Sequence, residues 1–156
     1  MKKIKAKKAG VAAFRYRAGR FELCLVSSRK SPKRLVLPKG NIDKMEKKRA
    51  AAMREAFEEA GLSGQVMKRP NVAVNGKGRP IEGRKAHVQY FPMRVDDEMS
   101  NWPEQRWRRR VWVSLNDIGK RRKYRHIRRI IDAMAMGEAK TWRKFLRLVR
   151  GKKSSQ

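Results

Sequence analysis

Through the first two thirds of the chain, short apolar runs alternate with polar positions at a period of two and are broken by Gly and Pro. Gly10 to Arg17 and Phe21 to Ser28 read as two strands joined by the turn Ala18-Gly19-Arg20, and Leu35 to Leu37 as a short third. Pro38 disfavours helix just ahead of Gly40 and helps shape the loop there. Gly40 to Glu46 is expected to be a loop, followed by a helix to about Ala60 that Gly61 stops. Gln65 to Val74 and Lys85 to Val95 predict two further strands around a Gly- and Pro-containing loop, Asn75 to Gly83, and Val111 to Val113 a last one. Beyond that the period changes to helical. Ile127, Ile130, Ile131 and Met134 form one stripe, and Trp142, Phe145, Leu146 and Val149 a second. Met1 to Lys8 reads as a frayed basic arm and Gly151 to Gln156 as a polar tail. Strands, a helix, more strands and two helices predict an α/β fold with a mixed β-sheet sandwiched between α-helices. No internal repeat is present.

Charge changes this picture at one place. The chain holds 43 Lys and Arg against 14 Asp and Glu, yet Glu55, Glu58 and Glu59 fall within five residues of the first predicted helix. At about 100° per residue, Met53, Ala56, Phe57 and Ala60 make an apolar stripe there and the three acids cluster on nearly the opposite side. Like charges at i, i+3 and i, i+4 repel, and a hard divalent cation removes that repulsion. Magnesium suits such a site, because it takes oxygen ligands, keeps several waters and is usually held by one or two carboxylates plus substrate phosphates. The alternative is an acidic helix face paired with neighbouring lysines.

From Gly40 the residues run Gly, five residues, Glu46, seven residues, Arg54-Glu55, Ala56, Phe57, Glu58-Glu59, Ala60, Gly61, Leu62. This pattern resembles the signature of the Nudix hydrolases at every polar and glycine position, with Ala56 where the family usually has a larger aliphatic residue. The resemblance implies the Nudix fold over residues 9–150 and a pyrophosphohydrolase that uses Mg²⁺ or Mn²⁺. Phosphoanhydrides resist water because negative oxygens shield the phosphorus, so catalysis needs those oxygens neutralised and the water activated. In these terms Glu55 and Glu59, one helical turn apart, are the first choice for metal ligands, and Glu58 is either a third ligand or the base. The family implies that the Gly40 carbonyl completes the shell and that an ion pair between Arg54 and Glu46 pins the loop to the helix. Ser27-Ser28-Arg29, Leu37-Pro38-Lys39-Gly40, Trp102-Pro103-Glu104 and Arg108 to Trp112 further resemble the diphosphoinositol polyphosphate and diadenosine polyphosphate branch. That likeness implies that Ser28, Arg29, Lys39, Gly40, Arg110 and Lys123 meet substrate phosphates, with Arg84 a further candidate. Arg and Lys are chemically suited to it, as a planar fork and a mobile point charge.

The remaining features set bounds. At 156 residues the chain is one domain with room for a real core. No apolar run is long enough to span a membrane, and Met-Lys-Lys-Ile-Lys is not followed by an apolar leader, so a cytoplasmic protein is expected. Cys24, the single cysteine, is expected to be a buried core residue. His87 reads as an alternating strand residue and His126 as an exposed helix residue. Trp102 and Trp107 are placed to stack on a base or sugar, whereas Trp112 between two valines reads as core. Asp96, Asp97, Glu98 and Glu104 are expected in a loop that supplies an extra ligand or base in some Nudix enzymes, with Glu104 the first to test. The net charge of +29 has three readings: a very polyanionic substrate, a nucleic-acid partner, or a general adaptation. The second defines the alternative function, a nucleic-acid-binding protein on the same fold in which catalysis is secondary or absent. The basic last helix, with Lys140, Arg143, Lys144, Arg147 and Arg150, suits RNA or an anionic membrane.

Overall fold

The computed structural model describes residues 3–151, so Lys152 and Lys153 of the expected tail lie outside the described residues. Among the described residues nine strands form one mixed sheet: β1 (Lys5–Arg17), β2 (Arg20–Ser27), β3 (Leu35–Val36), β4 (Lys39–Asn41), β5 (Leu62–Val66), β6 (Val72–Val74), β7 (Pro80–Ile81), β8 (Lys85–Glu98) and β9 (Arg110–Ser114). The helices are α1 (Lys48–Ala60), α2 (Leu115–Lys120), α3 (Arg125–Gly137) and α4 (Ala139–Gly151), with a 3₁₀ turn at Arg122–Tyr124. The main path runs β3-β2-β1-β8-β6-β7, with the central pair β1 and β8 parallel and the other pairings antiparallel.

The period of two in β1 divides the core. Ala9, Val11 and Ala13 face α1 on one side, while Ala12 and Phe14 face α3 and α4 on the other. Phe14 meets Trp142 and Phe145 edge-on, at centroid distances of 5.5 and 5.7 Å. The result is the expected mixed sheet between helical layers.

Five expectations are corrected. β1 starts at Lys5, inside the segment read as a frayed arm, because it pairs with β8 from Lys5↔Lys85 onward. The expected loop from Gly40 begins as strand β4, held antiparallel on β1. The expected strand Gln65 to Val74 is two strands, β5 and β6, parted by a segment containing Pro70, which has no N–H to offer a ladder. Asp96, Asp97 and Glu98 belong to β8 rather than to a loop. The predicted stripe of α1 is also displaced. The inward face is two adjacent i, i+4 rows, Ala51-Glu55-Glu59 and Ala52-Ala56-Ala60, while Phe57 is 40% exposed. Alanines let the helix approach β1 closely, and a phenylalanine at that contact would hold it away. Two of the acids are therefore buried on the inward face. The short helix α2 was not foreseen; Ser114 caps it by accepting a hydrogen bond from the Asp117 amide.

Candidate active site

The site lies where β1 and β2 diverge. The two strands pair from Phe14↔Leu23 to Arg17↔Arg20 and then part, β2 pairing with β3 and β1 with β4. The Val11 amide donates to Pro38 O at 3.0 Å, which seats the turn between β3 and β4 in the split. This carries Lys39 and Gly40 over the inward acids of α1. A β-carbon built on Gly40 would sit 2.1 Å from Glu55 Cδ, so only glycine admits the carboxylate there. The Lys39 amide donates to Glu59 Oε1 at 3.0 Å. At the far end of α1, Gly61 takes φ 66° and closes the helix, and its missing side chain makes room for the ring of Trp102.

Two arginines organise the acids. Arg54 grips Glu46 with Nε and Nη2, both at 2.9 Å, and reaches Glu55 Oε1 at 2.8 Å, Glu58 Oε2 at 3.2 Å and Asn41 O at 2.8 Å. One side chain thereby ties the loop, β4 and α1 together. Arg108 donates to Glu59 Oε2 at 2.8 Å, Glu104 Oε1 at 2.9 Å and Ser27 O at 3.1 Å. Arg110, not Arg108, is the arginine of this run expected at the phosphates; the sequence signal for Arg108 is its place four residues after Glu104.

A cavity of about 810 Å³ opens from Glu55 and Glu59. Ser28, Arg29, Lys39, Gly40, Arg54, Glu55 and Glu59 line it, as do Arg108, His87 and His126. His126, expected to be exposed, is half-buried, with Nε2 2.9 Å from Leu35 O. Glu58 and Glu46 stand outside the lining, each held by Arg54. Arg84 and Lys123 are exposed and also lie outside it. Arg110 points elsewhere, donating to Ala60 O and Met99 O, both at 2.9 Å, with its guanidinium 4.4 Å over Trp102. Trp102 is a structural cap, its Nε1 bonded to Glu59 O at 3.0 Å. Trp112 is half-buried beneath Arg15 and donates to Glu98 Oε1, whereas Trp107 is 45% exposed beside Arg29.

Burial sets the electrostatics. Glu55 is 8% and Glu59 5% exposed. Desolvation raises the pKa of both carboxyls, that of Glu59 to about 7 despite Arg108. Hydrogen bonds from Arg54 hold Glu46 down to about 2. Burial, then repulsion by Lys8, lowers the Lys39 ammonium, and burial lowers both imidazoles. Cys24 is fully buried and pushed up to about 12, an inert core thiol.

The donor set can be tested for a cation. Among the described residues no three Asp, Glu, His or Cys groups converge into a closed cage. Two buried carboxylates raised by desolvation, Glu55 pressed against Gly40 and Glu59 on the Lys39 amide, do fit a hard cation that takes its remaining ligands from water and substrate phosphate. They do not fit a closed structural zinc site.

The family model for the NUDIX domain matches residues 6–134. The chain belongs to the Nudix family. Nudix hydrolases generally use divalent metal ions, in keeping with that donor set. The chain is 34% identical over 111 residues to Nudix hydrolase 21, chloroplastic, of Arabidopsis thaliana, covering 69% of this chain and 55% of that protein. It is 30% identical over 98 residues to diphosphoinositol polyphosphate phosphohydrolase 3-beta of Bos taurus, covering 62% and 57%. The chain thus spans about half the length of the curated relatives it matches. Among solved structures, a C. elegans Ap4A hydrolase superposes with a TM-score of 0.54 at 25% identity, covering 94% of this chain and 98% of that one.

Proposed function

We propose that this Nudix protein is a divalent-metal-dependent pyrophosphohydrolase that cleaves a phosphoanhydride bond in a small, highly phosphorylated substrate. The observation that carries the reading is the juxtaposition of buried Glu55 and Glu59 with Gly40 at one end of a cavity whose other charged wall is cationic. Lys8, Arg29, Lys30, Arg34, Lys39 and Lys77 all line that cavity, and none has an acidic partner within ion-pair distance among the described residues. Such a ring suits a ligand with several phosphates. The names of the relatives suggest a diphosphoinositol polyphosphate or a dinucleoside polyphosphate, and a nucleoside polyphosphate belongs to the same panel. Glu55 and Glu59 would hold the cation together with the Gly40 carbonyl, and we assign Mg²⁺, with Mn²⁺ as its substitute. Bound there, the cation would neutralise phosphate oxygens and activate water. Arg54 and Glu46 hold the loop against α1, and Arg108 orients Glu59. Ser28, Arg29 and Lys39 bind phosphates, and Glu58 or Glu104 serves as base.

We place the protein in the cytoplasm; no helix among the described residues is long and apolar enough to cross a membrane. The test is a substrate panel with Mg²⁺ or Mn²⁺, scored by the phosphate product, on the wild type and on Glu55→Gln and Glu59→Gln. Each amide keeps the side chain's shape and loses the charge, so turnover should fall at least about 10²-fold with the fold intact. Wild-type rates in either variant at saturating Mg²⁺ would remove that residue from the metal site.

A further inference from the structure

A second cationic surface lies away from the cavity. On α4, every exposed side chain longer than alanine is a cation: Lys140, Arg143, Lys144, Arg147 and Arg150. The helix contains no acid, none of the five lines the cavity, and none has an ion-pair partner among the described residues. Arg150 lies 5.4 Å over the ring of Tyr16, which leads the band on to exposed Arg17 and Arg20 at the β1–β2 turn, where Arg20 Nε also stands 3.9 Å from Glu22 Oε2. A row of like charges at i, i+3, i+4 and i+7 repels itself on a free helix. The cavity's own cations do nothing to relieve it.

The chemistry of the band narrows the partner. The apolar face of α4, built on Trp142, Phe145 and Val149, is buried against β1, so the helix has nothing to insert between lipids. Tyr16 and Phe21 pack on each other at 4.9 Å beneath Arg150, so the band has no free aromatic platform on which unpaired bases could stack. What remains is a rigid array of cations, about one or two per 5.4 Å turn over about 15 Å of helix, extended by two arginines of a tight hairpin. It matches a regular row of phosphates. We propose that α4, with Arg17 and Arg20, docks on the phosphate backbone of a nucleic-acid duplex without reading its sequence, leaving the cavity free for a small substrate.

The test uses the whole chain and a fluorescein-labelled RNA duplex, followed by anisotropy at two or more salt concentrations. Arg143→Gln, Lys144→Gln and Arg147→Gln are combined in one variant. A control variant of equal charge combines Lys44→Gln, Lys47→Gln and Arg49→Gln, which are exposed just before α1 and in its first turn. The α4 variant should bind about tenfold or more weakly, with the slope of log K against log salt reduced by about 2 to 3. The control should stay close to the wild type, and turnover of the small substrate should be unchanged in the α4 variant. Equal losses in the two variants would reduce the band to net charge alone and overturn the proposal. So would absence of wild-type duplex binding at physiological salt. Tighter binding to a matched single strand, or to vesicles with anionic headgroups, lost in the same variant, would overturn it in favour of that partner.

Discussion

Replacing Gly40 by alanine tests whether the close contact between β4 and α1 sets the catalytic geometry. The new β-carbon would lie 2.1 Å from Glu55 Cδ and 2.3 and 2.4 Å from its two oxygens, where ordinary contact begins at 3.4 Å. The carboxylate must therefore retreat by about 1.3 Å, or β4 must lift from β1 and carry Lys39 with it. Overpacking of this kind costs about 1–3 kcal/mol, or about 2–4 °C of Tm for each kcal/mol in a domain of this size. A displacement of about 1 Å in a reacting group costs about 10²-fold in rate, so the loss in kcat should far exceed what the fall in stability explains. Gly83→Ala is the control, because a β-carbon there meets nothing within 4 Å and the residue lies outside the cavity. Steady-state kinetics on the best substrate from the panel, with Tm from a melt of the same preparations, separate the two effects. A Gly40→Ala enzyme with kcat within about threefold of wild type would refute the claim that Glu55 acts from its position against Gly40.

Two further outcomes follow from the placement of the cations and acids. Arg29→Ala should raise KM about tenfold or more, the loss of a charge-assisted phosphate contact, whereas Arg110→Ala should lower Tm and leave KM unchanged because its fork serves Ala60 O and Met99 O; reversed effects in kinetics and melts would exchange their roles. In metal-free protein, burial raises Glu59 from 4.5 to about 7, so the folded state binds this proton more tightly than the unfolded chain. The contribution of Glu59 to stability therefore falls as pH rises from about 4.5 to about 7, by about 3 kcal/mol. Glu46, held at about 2, has the opposite sign, its contribution being present above about 4.5 and lost as pH falls through 2. Melts in EDTA across this range should show a decline toward neutral pH that Glu59→Gln makes shallower, the raised Glu55 keeping its own smaller part; parallel curves for the two proteins would contradict it.

Part of this fold is governed by local rules alone. Alternation in β1 and β2, the Gly61 stop and the apolar stripes of α3 and α4 are written in neighbouring residues, and so is the spacing of Glu46, Arg54, Glu55, Glu58 and Glu59 from Gly40. Which face of α1 turns inward was not local. It follows from the close approach of Ala52, Ala56 and Ala60 to β1, which buries Glu55 and Glu59 and leaves Phe57 outside. Pairing across the divergence of β1 and β2 was likewise invisible, because it depends on where two strands cease to match rather than on either strand's composition. Arg108, Arg109 and Arg110 are alike in sequence, yet only the path of β9 sends Arg108 to Glu59 and Arg110 to the end of α1. In a chain with 43 Lys and Arg, composition could not rank one cation above another. Tertiary packing separated those that line a cavity, those that tie the backbone and those that are left on the outside of α4, because a charge acquires its role from the distance and burial of what surrounds it.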